Sequence, residues 1–362
     1  MRGRTSRAIA GGVVTLGLVT ASGLSASAAV TNAFHVTNLV SDQPGVAAQV
    51  DPNLVNAWGL VAGLSTPWWV ADNGTDVSTL YDGTGTPQPL VVKVKGAPTG
   101  TVFNGTANFV VSHEGQSGAA LFLFATESGT IRGWSPAVGT STPPSTRSFN
   151  VVNRAAQGAI YKGLAIASTT SGDFLYATDF HNARVDVFDG GFNQVVTSGA
   201  FQDPGIPAGF APFGIQNIGG NILVTYAKQD AAAEDDLHGQ GLGFVDMYDT
   251  SGNLVGRVAS QGPLNAPWGL AMAPAGFGKF GGDLLVGNFG NGKIHAYAMT
   301  ATGTAELAGI LRDTNGAPIK IDGLWALEFG NGGAAGSTDS LFFTAGPDDE
   351  THGLFGMIEA GS

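Results

Sequence analysis

The segment 161–189 (YKGLAIASTTSGDFLYATDFHNARVDVFD) carries the strongest folding signal in the chain. Three short apolar runs lie within it and turn-forming residues separate them, so the predicted strands are 164–167, 173–178 and 184–188. Strands of about five residues with a turn after each one indicate an antiparallel meander. A meander this small cannot bury both of its faces alone, so the pattern predicts that further copies cover it.

Related segments recur along the rest of the chain. The clearest second copy opens with WGL at 268–270, and weaker copies open with WGL at 58–60 and FGI at 213–215. Two degenerate copies are placed at 108–111 and 324–327, and Trp325 stands where the better copies have glycine. The openings recur about every 50–55 residues, as propeller blades do, which predicts six units. Four glycines at the openings are expected where neighbouring backbones approach closely: Gly59, Gly163, Gly214 and Gly269.

The repeat resembles the NHL-type unit of one family of β-propellers. Eleven residues carry the resemblance: Gly163, Leu164, Asp173, Leu175, Tyr176, Asp179, Asn182, Arg184, Val185, Val187 and Phe188. The resemblance implies an all-β fold, a six-bladed β-propeller formed as a single domain by residues 29–362. The segment 34–358 also resembles an uncharacterised family of exported bacterial propeller proteins, which bears on fold and compartment and not on chemistry. The segment 34–40 reads as a strand that precedes the first unit, and we expect it to close the last blade as its outermost strand.

The N-terminus has the pattern of a secretory signal peptide. Arg2, Arg4 and Arg7 precede an apolar run at 8–24, and Ala-Ser-Ala at 26–28 fits a cleavage site. We therefore predict a signal peptide at 1–28 and a secreted, extracellular mature protein. The rest of the chain has no apolar stretch long enough to span a bilayer.

Charge and composition narrow the possible partners. Removing the predicted signal peptide takes away three of the 16 basic residues and none of the 28 acidic ones, so the net charge changes from −12 to −15. An acidic surface disfavours nucleic acid and anionic membranes but suits cationic ligands and divalent metals. The chain has no cysteine, which excludes thiol nucleophiles and metal–thiolate sites.

Candidate site residues cluster in the turns that share one face of a propeller. The turns between second and third strands lie on the same face as the beginnings of the inner strands. The expected ligand-binding residues on this face are Asn56, Trp58, Lys162, Asp179, His181, Trp268, Asn288 and Asp322. The expected ligands of a divalent metal such as Ca, Zn or Mn are Asp179, His181, His238, Asp348, Glu350 and His352.

Each of these assignments has a structural alternative. Asp and Asn in such turns also cap backbone N–H groups, and tryptophans beside a blade glycine also pack against the next blade. Lys162 is expected to pair with Asp179 of its own blade. The long acidic segment 228–241 is either a functional loop or a solvated insertion.

The sequence leaves the activity open and assigns no catalytic residue. It contains no G-x-S-x-G motif, no P-loop and no G-x-G-x-x-G motif before a helix. The favoured interpretation is a monomer that binds a small polar molecule or an extracellular polymer at the channel mouth. The alternative is a metal-assisted hydrolase, lactonase or lyase that uses the same face.

Overall fold

Six sheets of four or five strands, antiparallel except for one two-residue parallel pairing, account for most of the regular structure in the described part of the computed structural model of the protein. The structure describes Met1, Gly3, 31–300 and 303–361, so most of the predicted signal peptide lies outside the described residues. Within the described residues, helix is confined to three 3₁₀ turns: Asn73–Thr75, Ala155–Gln157 and Gly278–Phe280. None of the described helices is long and apolar enough to cross a membrane.

The strands follow the chain blade by blade. Two strands precede the first blade: β1 (Phe34–Ser41) and β2 (Gln49–Val50). Blade one contains β3 (Ala57–Val61), β4 (Trp68–Asp72), β5 (Val77–Tyr81) and β6 (Val92–Lys93). Blade two contains β7 (Pro98–Phe103), a separate hairpin of β8 (Val110–His113) and β9 (Gln116–Ala119), and then β10 (Phe122–Thr126), β11 (Thr130–Trp134) and β12 (Phe149–Asn153).

The later blades have the same order. Blade three contains β13 (Tyr161–Thr169), β14 (Gly172–Asp179), β15 (Arg184–Asp189) and β16 (Gln194–Val195). Blade four contains β17 (Phe210–Ile218), β18 (Asn221–Gln229), β19 (Asp236–Leu237), β20 (Gly243–Tyr248) and β21 (Leu254–Ser260). Blade five contains β22 (Pro267–Met272), β23 (Leu284–Asn288), β24 (Ile294–Met299) and β25 (Ala305–Ile310). Blade six contains β26 (Leu324–Phe329), β27 (Leu341–Ala345) and β28 (Leu354–Ala360).

The inner strands close a ring. Each of β3, β7, β13, β17, β22 and β26 contacts the next inner strand, and β26 contacts β3. Because each blade is covered on both faces by its neighbours, its middle strands are apolar on both faces and do not alternate. All five residues of β4, β10, β23 and β27 are buried. The six-bladed all-β propeller predicted from the sequence is confirmed.

The N-terminal strand closes the ring as predicted, although the two-residue strand β2, which pairs parallel with β1, lies outside it and takes the expected outermost place. β1 pairs antiparallel with β28, from Phe34 opposite Ala360 to Ser41 opposite Leu354. Phe34 and Val40 are almost fully buried, at 1% and 0% exposure. The last blade therefore gains its fourth strand from the other end of the chain, which leaves no open edge on β28.

Blade two corrects one sequence prediction. Its inner strand is β7, at Pro98–Phe103, and the segment predicted to be that strand, 108–111, contributes to the β8–β9 hairpin instead. The hairpin is inserted between the first and second strands of the blade. The hairpin has an apolar run at the position where the repeat spacing predicts the inner strand. The prediction relied on that spacing and therefore chose the hairpin segment.

A bulge interrupts the pairing of every inner strand close to its first residues. The register shifts at Trp58-Gly59, Thr99-Gly100, Lys162, Phe213-Gly214, Trp268 and Trp325-Ala326. Ala326, and not Trp325, takes the glycine position of blade six, because its N–H binds Thr344 just as Gly214 N–H binds Thr225. Trp325 is thus equivalent to Trp268, which corrects the alignment drawn from sequence.

Candidate functional site

The inner-strand bulges give the channel mouth its side chains. The residue before the glycine position is Trp58, Thr99, Lys162, Phe213, Trp268 or Trp325 in blades one to six. Thr99 donates a hydrogen bond to the Tyr161 carbonyl of blade three, 2.8 Å away. The other five converge, because a bulge redirects a side chain out of the regular strand pattern.

Aromatic rings close the channel beneath the mouth. Trp58 stacks on Trp325 with a centroid separation of 3.5 Å, and Phe289 stacks on the same indole at 3.8 Å. We call the following cluster the aromatic floor: Trp58, Phe180, Phe213, Trp268, Phe289 and Trp325. Trp268 is the partly exposed member, and its Nε1 donates to the Lys162 carbonyl at 3.1 Å. Trp58 Nε1 is buried and has no hydrogen-bond partner among the described residues.

Lys162 lies buried over this floor. Its ammonium group is 5.2 Å from the Trp58 ring centroid, 2.5 Å from Glu127 Oε1 and 3.0 Å from Asp235 Oδ1. Burial disfavours the charged amine, but the two carboxylates outweigh burial and raise the pKa of Lys162 above its ordinary value. Lys162 is therefore a cation held between blades two and four.

The expected pairing of Lys162 with Asp179 is wrong. Asp179 instead binds Arg184 at 3.2 Å and accepts hydrogen bonds from Ile160 N, Asn182 N and Asn182 Nδ2. Asn288 has a comparable role, since it accepts from Asn265 N and donates to the Pro263 carbonyl. Both residues cap turns, which was the structural alternative for this position of the repeat.

Amides extend the polar group around Lys162. Asn73 donates to Glu127 Oε2 at 2.9 Å, and Asn56 donates to Asn73 Oδ1 at 3.1 Å and to Glu350 Oε2 at 2.6 Å. Trp325 Nε1 donates to Asn56 Oδ1 at 3.0 Å and so joins the group to the floor. We call the following set the polar layer: Asn56, Asn73, Glu127, Lys162, Asp235 and Glu350. Burial raises the pKa of Glu350, although Asn56 and Lys162 act in the opposite direction.

The acidic segment 228–241 contacts this site. β18 continues to Gln229 and pairs with β19, and Asp230 closes the intervening turn by accepting from Glu234 N. Ala233 O lies 3.2 Å from His181 Nδ1, and Gly239 N donates to Asn265 at 2.7 Å. The segment thus contacts blades three and five, while the Asp235 side chain remains 76% exposed.

The metal candidates have separate partners. His181 contacts Ala233 O, His352 Nδ1 lies 2.7 Å from Asp42, and His238 Nε2 lies 3.2 Å from Asp236. The close contact with Asp236 raises the pKa of His238, and the charges of Glu350 and Asp349 contribute in the same direction. In the described part of the chain, no three or more His, Asp or Glu side chains are grouped to hold an ion.

The structure therefore gathers part of the predicted set. Asn56, Trp58, Lys162, Trp268 and Glu350 meet at the mouth, as the preceding contacts show. Asp322 accepts from Asp348 N on an exposed turn, apart from these contacts. The predicted set omitted seven residues that complete the site: Asn73, Glu127, Phe180, Phe213, Asp235, Phe289 and Trp325. Their positions in the repeat could have identified them, because each lies at an inner-strand bulge or in a turn between the second and third strands of a blade.

Comparison with known proteins shows the family. No family model matches the chain. The uncharacterized protein R648 of Acanthamoeba polyphaga mimivirus is 34% identical over 340 residues, which is 90% of this chain and 80% of the relative. Uncharacterized protein L690 of the same virus is 33% identical over 342 residues, 90% of this chain and 85% of the relative. The chain belongs to the family of these mimivirus proteins.

Solved structures similar to this family member share its fold. A protein of unknown function from Bacteroides thetaiotaomicron has a TM-score of 0.56 and 9% identity, over 90% of this chain and 76% of its own. A glucose dehydrogenase has a TM-score of 0.51 and 11% identity, over 91% of this chain and 99% of its own. A streptogramin B lyase has a TM-score of 0.50 and 12% identity, over 91% of this chain and 98% of its own. At such identities the likeness shows the fold alone. The NHL-type repeat and the exported bacterial family stay predictions.

Proposed function

We propose that this propeller binds a small hydroxyl-rich polar molecule at the channel mouth, on the polar layer above the aromatic floor. The observation that carries the proposal is Lys162, a buried cation held by Glu127 and Asp235 over the Trp58 ring. Amides and carboxylates from blades one, two, four and six surround it. Such groups donate to and accept from hydroxyls, and aromatic rings supply an apolar surface for the rest of a ligand.

Asp235 is the member of the polar layer that a ligand can displace. Its side chain is 76% exposed, whereas that of Lys162 is 2% exposed. An ion pair with so exposed a partner contributes little to stability. A ligand oxygen that takes its place beside Lys162 would keep the ammonium group paired. The acidic segment of blade four also contacts blades three and five at the mouth, and we infer that this favours a small molecule over an extracellular polymer.

Two matched variants test this proposal. Isothermal titration of the mature protein with monosaccharides and sugar acids should find a ligand, and Asp235→Asn should raise its affinity by removing a competitor for Lys162. The control is Glu234→Gln, which removes the same charge from the neighbouring exposed residue and should leave the affinity unchanged. Equal affinities in these two variants, or no binding by any compound, would contradict the proposal.

The alternative is a metal-assisted hydrolase, lactonase or lyase, and metal content tests it. His181, His238 and His352 hold different partners, so a shared ion would require their turns to rearrange. Elemental analysis of the purified protein distinguishes the two functions. Stoichiometric Ca, Zn or Mn that is lost in His238→Ala would favour the alternative, whereas an organic ligand bound without metal supports the primary proposal.

We also propose that the protein is secreted and acts as a monomer outside the cell. The support is the leader pattern at 1–28, whose last residue precedes the compact unit that begins at Thr31. Mass spectrometry of the protein from culture medium should find an N-terminus at Ala29. An intact N-terminus found only in the cell fraction would contradict secretion, and light scattering of the secreted material tests the monomer.

A further inference from the structure

A cavity lies at the end of the channel opposite the polar layer. Inner strands run from the mouth described above to this end, where five of them line a cavity of about 200 Å³. Its polar lining consists of Thr101, Gln216, Asn217 and Glu328, and Leu60 and Ile166 belong to its apolar wall. A narrower void of about 20 Å³ continues from it towards Trp268. The aromatic floor thus separates this cavity from the polar layer.

Among the described residues that line the two spaces, Glu328 is the one with a titratable side chain. It belongs to blade six, and Gln216 of blade four donates a hydrogen bond to its Oε2 across the channel at 2.8 Å. Within the described residues, Oε1 accepts no hydrogen bond and the carboxylate forms no ion pair. Burial raises the pKa of Glu328 to about 7.

The other polar groups of the cavity are already committed. Thr101 donates to the Leu123 carbonyl at 3.1 Å, and Asn217 Nδ2 donates to the Ile166 carbonyl at 2.8 Å. Glu328, which is half-buried, therefore presents a carboxylate oxygen to a cavity of mixed polar and apolar walls, with one neutral hydrogen-bond donor as its support. A carboxylate without a counter-ion in such surroundings is costly, and a bound cation removes that cost.

We propose that this cavity binds a small organic ammonium ion with an apolar body, with Glu328 as its counter-ion. Charge complementarity selects the ammonium group, and the wall formed by Leu60 and Ile166 suits the apolar body. The volume sets the size, since a cavity of about 150 Å³ holds benzene. Benzylammonium is therefore a fitting test ligand. The site is independent of the proposed function, because it uses no residue of the polar layer.

Isothermal titration with a charged and an uncharged ligand of one shape tests the assignment. Benzylamine should bind the parent protein at least about tenfold more tightly than benzyl alcohol, a preference of about 1.4 kcal/mol. Glu328→Gln should abolish that preference. Glu306→Gln, the same substitution on an exposed residue of β25, should retain it. Ala62→Phe takes up cavity volume while keeping the Glu328 carboxylate in the chain, and it should weaken both ligands.

The pH dependence separates this proposal from a neutral ligand. Glu328 is the titratable group that faces the cavity, so benzylamine affinity should fall as the pH is lowered through 7. A ligand that accepts a hydrogen bond from the protonated acid would show the reverse. The proposal is overturned if benzyl alcohol binds as well as benzylamine, if Glu328→Gln keeps the preference, if Ala62→Phe binds as the parent does, or if benzylamine does not bind.

Discussion

Among the glycines of the inner strands, Gly214 lies closest to the backbone of the next blade and gives a sharp test of the packing. A Cβ atom added there would lie 2.1 Å from the Trp268 carbonyl oxygen and 2.8 Å from its carbonyl carbon. Both atoms belong to the backbone of blade five, so a side-chain rotation cannot relieve the contact. Gly214→Ala must therefore push blades four and five apart in a ring that is closed by β1.

The size of the effect follows from that contact. An ordinary Cβ contact begins at 3.4 Å, so the backbone has to move by about 1 Å. Overpacking of this kind lowers the free energy of unfolding by about 3 kcal/mol. Replacing a glycine within a strand raises it by less than about 1 kcal/mol, so the net effect is destabilising. At Gly163 the nearest atom is Phe213 O at 2.9 Å and the next two belong to side chains. Gly163→Ala should therefore cost about 1 kcal/mol.

Urea unfolding followed by tryptophan fluorescence measures the difference. The midpoint should fall most for Gly214→Ala, less for Gly163→Ala and negligibly for Gly105→Ala, with similar slopes. Gly105 is the matched control, because its nearest contact would be an ordinary 3.4 Å to a Phe103 ring carbon. If Gly214→Ala and Gly105→Ala unfold at the same midpoint, the proposed contact between the blades is wrong.

Three further outcomes test the closure, the core and the mouth. Deleting Phe34–Ser41 should lower the melting temperature markedly or prevent soluble expression, and a deletion variant that melts with the parent would contradict closure by β1. Burial lowers the pKa of His295 from 6.5 to about 4. Between these pH values the histidine is protonated in the unfolded chain and neutral in the folded one, so the stability of the parent protein should fall as the pH drops from 6.5 towards 4. His295→Val should flatten that dependence in urea midpoints at successive pH values, and an unchanged slope would refute the assignment. Lys162→Met should destabilise by about 2 kcal/mol because it leaves Glu127 without its cation, whereas the same substitution at the exposed Lys95 should change the midpoint little.

The sequence alone determined the architecture, because local chemistry repeats along the chain. Strand-length apolar runs and turn residues recur at a regular interval, and the unpaired segment before the first unit required a partner. The pairing of β1 with β28 confirms that expectation. The close approach at Gly214 explains why glycine recurs near the start of the inner strands. The same local pattern identified Asn56, Trp58, Lys162 and Trp268 as mouth residues, since the position within a repeat determines which face a side chain reaches.

Tertiary structure alone decided which of these side chains meet. Lys162 takes its partners from blades two and four, and Glu328 of blade six meets Gln216 of blade four across the channel. Such pairs depend on the closure of the ring and on the lengths of segments such as the β8–β9 hairpin. The hairpin also led the sequence analysis to the wrong inner strand in blade two, because a regular repeat spacing does not reveal an inserted segment. Local signals determine each blade, whereas contacts across a ring depend on the arrangement of all six.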